Sequence, residues 1–304
     1  MINRMTTQTM MRSAQRNLQS NMEQLAKLQD QATSLKAISR PSDNPTGAAE
    51  SLAVRAEQRA VDQYRRNADN GNGWLTTVDS ALTATNTIMN RIRDLTVQGA
   101  NDSNSPTAKQ ALAHELDGLK DDLLKQANTT YLGRNVFAGN TDKGVAFISD
   151  AIAPAANYTF TGTSTDSVER RISSGSTVRV DADGSAVFGD GNTNPSDSVF
   201  ALVDQIASDL RTGTNVGHFL QDLDDRMKTI AGQHAQIGSQ QNIVERAQDS
   251  LLAQKGSLEA KRSSVEDIDL GQVILELKTQ EVAYQSALAV TARVLQPTLM
   301  DFLR

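Results

Sequence analysis

The sequence predicts a mainly α protein with a β insertion: terminal helices forming a coiled coil, a bundle of long helices, and a small outer β domain. Three observations carry this. The six prolines, at 41, 45, 106, 154, 195 and 297, leave 46–105 and 196–296 free of a residue that breaks helix interiors, so both intervals can hold long helices. Apolar residues recur at heptad spacing toward both ends of the chain, the period of helices that pair along a narrow seam. Seven of the twelve aromatics (Tyr131, Phe137, Phe147, Tyr158, Phe160, Phe188 and Phe200) lie between 131 and 200, where glycine is frequent and the heptads vanish.

The elements follow in order. From Met11 the seam reads Met11, Ala14, Leu18, Leu25, Leu28, Ala32 and Leu35, with Asn21 in the one gap and Met22 beside it. It stops at Arg40-Pro41-Ser42-Asp43-Asn44-Pro45, where two prolines and Asx/Ser residues force a turn. A second helical stretch runs from about Thr46 to Gly99, with Leu75, Val78, Leu82, Met89 and Ile92 as its later stripe. Propensity alone breaks it at Asn70-Gly71-Asn72-Gly73. A shorter helix follows Pro106, striped by Ala108, Leu112, Leu116, Leu119 and Leu123.

Between 131 and 195 alternation replaces helical period, at Tyr158/Phe160, Val168/Arg170/Ile172 and Val178/Val180, with turns expected at Asp183-Gly184 and Gly189-Asp190-Gly191. A helix of about 198–211 precedes Gly213. Then Leu223, Ile230, Ile237, Val244, Leu251, Leu258 and Val265 recur every seven residues as a bundle seam. Their partner column, Leu220, Met227, His234, Gln241, Gln248, Lys255 and Arg262, turns polar after Met227 and leaves groups that can set register. The last heptad is Leu270, Ile274, Leu277, Tyr284, Leu288, Leu295 and Phe302, with Glu281, Thr291 and Thr298 between; Pro297 frays or kinks its end. The expected domains are 1–45 plus 266–304 as a terminal coiled coil, 46–130 plus 197–265 as a long-helix bundle, and 131–196 as an inserted β domain.

Composition narrows the function classes. Hydrophobic residues make up 38% and aromatics 4% of 304 residues, a thin inventory for a large conventional core. Charges of both signs are interspersed around a net −6, and no basic stripe marks a nucleic-acid partner. No apolar run reaches the ~20 residues of a bilayer span, and Met1–Gln15 lacks the apolar core of a secretory signal. With no cysteine there are no disulfides, thiolate metal sites or Cys nucleophiles.

Enzyme motifs are absent: there is no H-E-x-x-H, G-x-S-x-G, P-loop, or dinucleotide fingerprint placed between strand and helix. The expectation is no catalytic residue, no metal and no cofactor. His114, His218 and His234 are far apart, and His234 falls in the polar seam column, where a helix–helix contact outweighs a metal ligand. Asp181-Ala182-Asp183-Gly184 is a poor calcium loop, since its glycine comes too early and no closing Glu follows. Thin seams at both ends rarely stabilise isolated helices in water. Leu18, Leu25, Leu28 and Leu35 are therefore expected to pair with Leu270, Leu277, Leu288 and Leu295, and the remaining seam with neighbouring copies.

Several runs resemble the flagellin superfamily: Ile2-Asn3-Arg4-Met5-Thr6-Thr7-Gln8 leading into the first heptad, then Ser39-Arg40-Pro41-Ser42-Asp43-Asn44-Pro45-Thr46-Gly47. Arg66 to Gly71, Ile92 to Asn101, and Ser264-Val265-Glu266-Asp267-Ile268-Asp269 before the last helix are similar to other family stretches. Within the superfamily, the Pro41-to-Pro45 turn and the run from Tyr131 to Asp142 look like the hook-associated protein 3 branch. The resemblance implies an inner coiled coil of the two termini lining an export channel, a helical domain beyond it, and an outward β insertion. It also places Asn70–Gly73 within or beside a long helix, against propensity. It implies an extracellular flagellar subunit exported by the type III apparatus and assembling as a ring with copies of itself. The implied neighbours are the preceding hook-associated protein, flagellin and an export chaperone. Other readings of the residues are a short flagellin and a cytoplasmic coiled-coil signalling protein.

Overall fold

The computed structural model describes residues 7–101, 103–141, 144–150, 157–162, 167–191 and 197–294. Among the described residues, seven helices and six short strands follow in the order α1 (Thr7–Ser34), α2 (Pro45–Gly99), α3 (Pro106–Ala127), β1 (Thr130–Tyr131), β2 (Arg134–Asn135), β3 (Phe147–Asp150), β4 (Asn157–Phe160), β5 (Glu169–Arg171), β6 (Thr177–Arg179), α4 (Gly184–Phe188), α5 (Val199–Thr212), α6 (Phe219–Glu266) and α7 (Leu270–Val294). They form two compact units. One takes the chain up to Ala60 and from Gln254 on; the other runs from Val61 to Ala253.

In the first unit α1 and α7 lie antiparallel, Gln280 donating to the Asn21 carbonyl at 3.3 Å and the Tyr284 hydroxyl to the Met22 sulfur at 3.9 Å. Ala14, Leu18, Asn21, Leu25 and Ala32 are half-buried and Leu28 is buried. Leu35, expected in this seam, is not in it. The helix stops at Ser34, and Leu35 takes a left-handed backbone (φ 57°) that turns its side chain to solvent. The following turn is built as the two prolines demand. The Asp43 amide bonds the Arg40 carbonyl at 2.9 Å and Asp43 Oδ2 accepts from the Arg40 amide at 3.1 Å. Asn44 Oδ1 caps α2 through the Gly47 amide at 3.0 Å, with Pro45 as the first helical residue.

The second unit is built on α2 and α6. Ala68, Leu75, Leu82, Met89 and Thr96 of α2 are buried at heptad spacing, as are Leu223, Ile230, Ile237, Val244 and Leu251 of α6. Helix α3 is capped by Ser105, and α5 by Ser198 at its start and by left-handed Gly213 (φ 84°) at its end. Helix α2 runs unbroken through Asn70-Gly71-Asn72-Gly73. The reason is tertiary. Val180 and Arg170 pack over Gly71, where a Cβ would come within 3.2 Å of Val180 Cγ1, and the Tyr131 hydroxyl lies over Gly73. Arg170 donates to Asn70 at 2.8 Å and Asn67 to the Arg171 carbonyl at 2.8 Å. Buried Trp74 meets Tyr131 edge-on at 5.6 Å and the Arg170 guanidinium at 5.6 Å. Packing on this glycine face outweighs a propensity deficit of about 1 kcal/mol per glycine.

Among its described residues the insertion forms three antiparallel strand pairs, β1–β2, β3–β4 and β5–β6. In the first, Leu132 (φ 49°) and Gly133 (φ 79°) make the tight two-residue connection. Asp183-Gly184, expected as a plain turn, opens α4 instead: Asp183 Oδ1 accepts from the Ser185 amide at 2.9 Å and so caps the helix. The aromatic core here joins Phe137, Phe147, Phe160 and Phe188 with Phe200 of α5, which sits 5.2 Å from Phe147 and stacks on Phe188 at 5.7 Å. The insertion shares its core with a bundle helix, across the boundary expected at 196.

Candidate functional site

Helical geometry turns a residue about 100° from its predecessor, so each position on α7 has a fixed azimuth. The face toward α1 carries buried Val273 with half-buried Leu277, Gln280, Tyr284, Ala287 and Thr291. Of the expected seam on α7, Leu277 and Tyr284 lie on this face. Leu270, Ile274 and Leu288 lie on its flank and are exposed (44%, 47% and 43%). Leu295 and Phe302 fall outside the described residues. The expected heptad therefore straddles two surfaces, one turned to α1 and one left open. A third surface was not anticipated: Leu275 and Val282, seven residues apart, are 69% and 62% exposed on the side away from α1.

The end of α6 joins this unit through Glu266. Its side chain is nearly inaccessible, yet it is ionised, because Arg55 grips both carboxylate oxygens at 2.6 Å and Ser51 donates as well. The paired Arg55 hydrogen bonds outweigh burial and hold the Glu266 carboxyl down at about 2. Its backbone carbonyl accepts the Ala37 amide at 2.7 Å, and the backbones of Lys36 and Asp267 pair there as an isolated antiparallel bridge. One residue thus ties the α1–α2 turn, α2 and α6 together. Gln58 to Glu259 at 2.9 Å and Lys261 to Glu50 at 3.5 Å continue the tie. A cleft of about 530 Å³ opens beside it, lined by Ile38, Pro41, Ala48 and Leu52 among others. Leu258 and Val265, the last two of the bundle seam, are half-buried in this unit.

In the second unit the polar column of α6 meets α2. His234 Nε2 lies 2.7 Å from Asp79 Oδ1 and its Nδ1 3.3 Å from the Asn86 amide. Gln248 donates to Asp69 at 2.8 Å, and Arg93 to Asp224 at 2.7 Å. These are cross-helix contacts. Lys120, Tyr158 and Asp204 form a further polar cluster, in which the Tyr158 hydroxyl donates to Asp204 at 2.9 Å and Lys120 pairs with the same carboxylate. Burial, reinforced by the Asp204 charge, pushes the Tyr158 phenol up to about 12. Among the described residues, no group of three or more His, Asp or Glu side chains is placed to hold a metal ion. No helix of the described residues is long and apolar enough to cross a membrane. What the arrangement offers is packing surface.

Known proteins carry the same architecture. The model of the bacterial flagellin N-terminal helical region matches residues 5–142, and that of the C-terminal helical region matches 220–303. A flagellin of Halalkalibacterium halodurans is 24% identical over 93% of either chain. The solved flagellar hook-associated protein 3 of Legionella pneumophila superposes with a TM-score of 0.62, covering 70% of this chain and 98% of its own at 15% identity. The flagellar junction protein FlgL of the same organism gives 0.55, covering 64% and 99% at 14% identity. At these identities the structural likeness speaks to the fold. The family matches go further, since together they span well over half of the sequence: the chain belongs to the bacterial flagellin family of flagellar structural proteins.

Proposed function

We propose that this chain is the adaptor at the hook–filament junction, stacking on the preceding hook-associated protein at one end and templating flagellin at the other. The observation that carries the reading is the terminal helix pair. Its chain leaves Leu270, Ile274, Leu275, Val282 and Leu288 of α7 uncovered, a load of exposed aliphatic surface that a solitary soluble protein rarely shows in one element. The work is done by helix packing, without bond chemistry. The placement at the junction is supported by the Pro41-to-Pro45 turn and by the likeness to structures described as hook-associated protein 3 and junction protein. Export by the flagellar type III apparatus, with a chaperone holding the C-terminal region, belongs to the same reading.

A short flagellin is the second reading, favoured by an alignment that covers 93% of this chain and of a flagellin. Deleting the gene separates the two. Bare hooks with unpolymerised flagellin accumulating in the medium are expected for the adaptor. Bare hooks with no flagellin outside the cell would make the chain the filament subunit, and normal filaments would overturn both readings.

A further inference from the structure

The weakest stretch of the longest helix lies under the insertion. Asn70-Gly71-Asn72-Gly73 sets four poor helix formers in a row at the middle of α2. The glycines of α6 make the contrast. Gly232, Gly238 and Gly256 stand singly, and a Cβ at any of them would meet nothing within 4 Å. Gly71 and Gly73 are covered instead, and the atoms nearest to them belong to the insertion: Val180 and Arg170 over Gly71, Tyr131 over Gly73.

Arg170, the central residue of β5, spans the whole weak turn. Its Nε donates to Asn70 Oδ1 at 2.8 Å, its Cγ would lie 3.8 Å from a Cβ at Gly71, and its guanidinium stands 5.6 Å from the Trp74 ring. Positions 70 and 74 are one helical turn apart, so a single side chain bridges both ends of the turn. Just before it, Asn67 donates to the Arg171 carbonyl at 2.8 Å. Strand β5 pairs with β6 over a short register, from Glu169 with Arg179 to Arg171 with Thr177. A two-stranded hairpin of this size is marginal by itself in water. A weak helical turn and a weak hairpin thus support each other.

We infer that Asn70–Gly73 is a hinge in α2 that the β5–β6 hairpin holds shut, with Arg170 as its splint. Lifting the hairpin gives these four residues to water, and α2 parts there while the buried column from Leu82 to Thr96 stays folded. The core helix then answers to the insertion. A partner that binds the hairpin more tightly when it is lifted than when it is docked opens α2, and one that prefers it docked stiffens α2. The hinge belongs to the second unit and does not depend on the junction role.

Native-state hydrogen exchange of the full-length protein, followed peptide by peptide through a denaturant series, tests this. In the unmodified chain, amides 71–77 and 169–179 are expected to exchange through one shared opening that comes before exchange at 82–96. Exchange of 71–77 together with 82–96, or without 169–179, would overturn the inference. In Arg170→Ala, protection at 71–77 should fall at least about tenfold, as for a lost charged hydrogen bond, with 82–96 unchanged. Adding Asn72→Ala, whose native side chain makes none of the contacts above, should restore about threefold, because helix propensity rises with no new contact to the insertion. Unchanged protection at 71–77 in Arg170→Ala, or no recovery on adding Asn72→Ala, would make Arg170 an ordinary packing residue and sink the hinge.

Discussion

The two units solve the same heptad problem to different depths. In the second, Leu223, Ile230, Ile237 and Val244 of α6 and Leu75, Leu82 and Met89 of α2 are buried almost completely, because α3, α5 and the hairpins complete the core. In the first, α1 and α7 pack on each other, and among the described α7 seam residues Leu277 and Tyr284 remain half-exposed while Leu270, Ile274 and Leu288 are open. The sequence period is equal in both. What differs is the number of surfaces available to cover it, so a heptad specifies a partner's presence and not where that partner comes from.

Substitutions in the two units should have effects of different size. The largest expected effect is on assembly: Leu277→Asp puts a charge into the α1–α7 contact and should abolish recovery of the chain in purified flagella, while the thermal transition of the second unit stays in place. A loss of that transition would mean the units are not separable as drawn. Next, Leu82→Ala in the buried column should cost about 2–5 kcal/mol in denaturant unfolding. Leu277→Ala, at a half-buried site, should cost under about 1.5 kcal/mol because less area returns to water.

A pH titration compared between the native chain and a Glu266 variant addresses the first unit. Glu266 is held at about 2 against an ordinary 4.5, so the folded state binds its proton less readily than the unfolded one. Its stabilisation is fully present above about pH 4.5, falls as the pH drops through the window between the two values, and is gone below about 2. Glu266→Gln should flatten that acid limb and lower stability at neutral pH by about 1.5–3 kcal/mol, the range for a charged hydrogen bond. An unchanged limb would place the acid sensitivity elsewhere. The smallest effect is a gain: a Cβ at Gly232 meets nothing within 4 Å, so Gly232→Ala should stabilise the bundle by about 0.5–1 kcal/mol in thermal unfolding.

Much of the helical scaffold was legible in the sequence, since heptads and proline positions are direct statements of period and breakage. Three things were not. The α2 column that faces inward contains Ala68 and Thr96, too small and too polar to register as a stripe. The Asn70–Gly73 segment reads as a break because its glycines make room for Tyr131, Val180 and Arg170, residues 60 to 110 positions away that no local pattern connects to it. Within the assembly surface, the heptad located α7 but not its azimuth. Leu270 and Leu288 scored as seam, whereas Val273 is the buried residue, because rotation about the helix axis is set by the neighbour and not by the repeat.

The polar pairs along α2 and α6 have a consequence for slippage. The α6 column Leu223, Ile230, Ile237, Val244 and Leu251 repeats every seven residues, so sliding by seven again sets an aliphatic side chain against α2. The charged contacts are not periodic in that way. One step of slip would carry Arg93 from Asp224 to Gly217 or Ala231, and Asp79 from His234 to Met227 or Gln241. The polar ladder acts as a vernier on a ruler of similar divisions, and it fixes the register of α6 on α2 within the second unit.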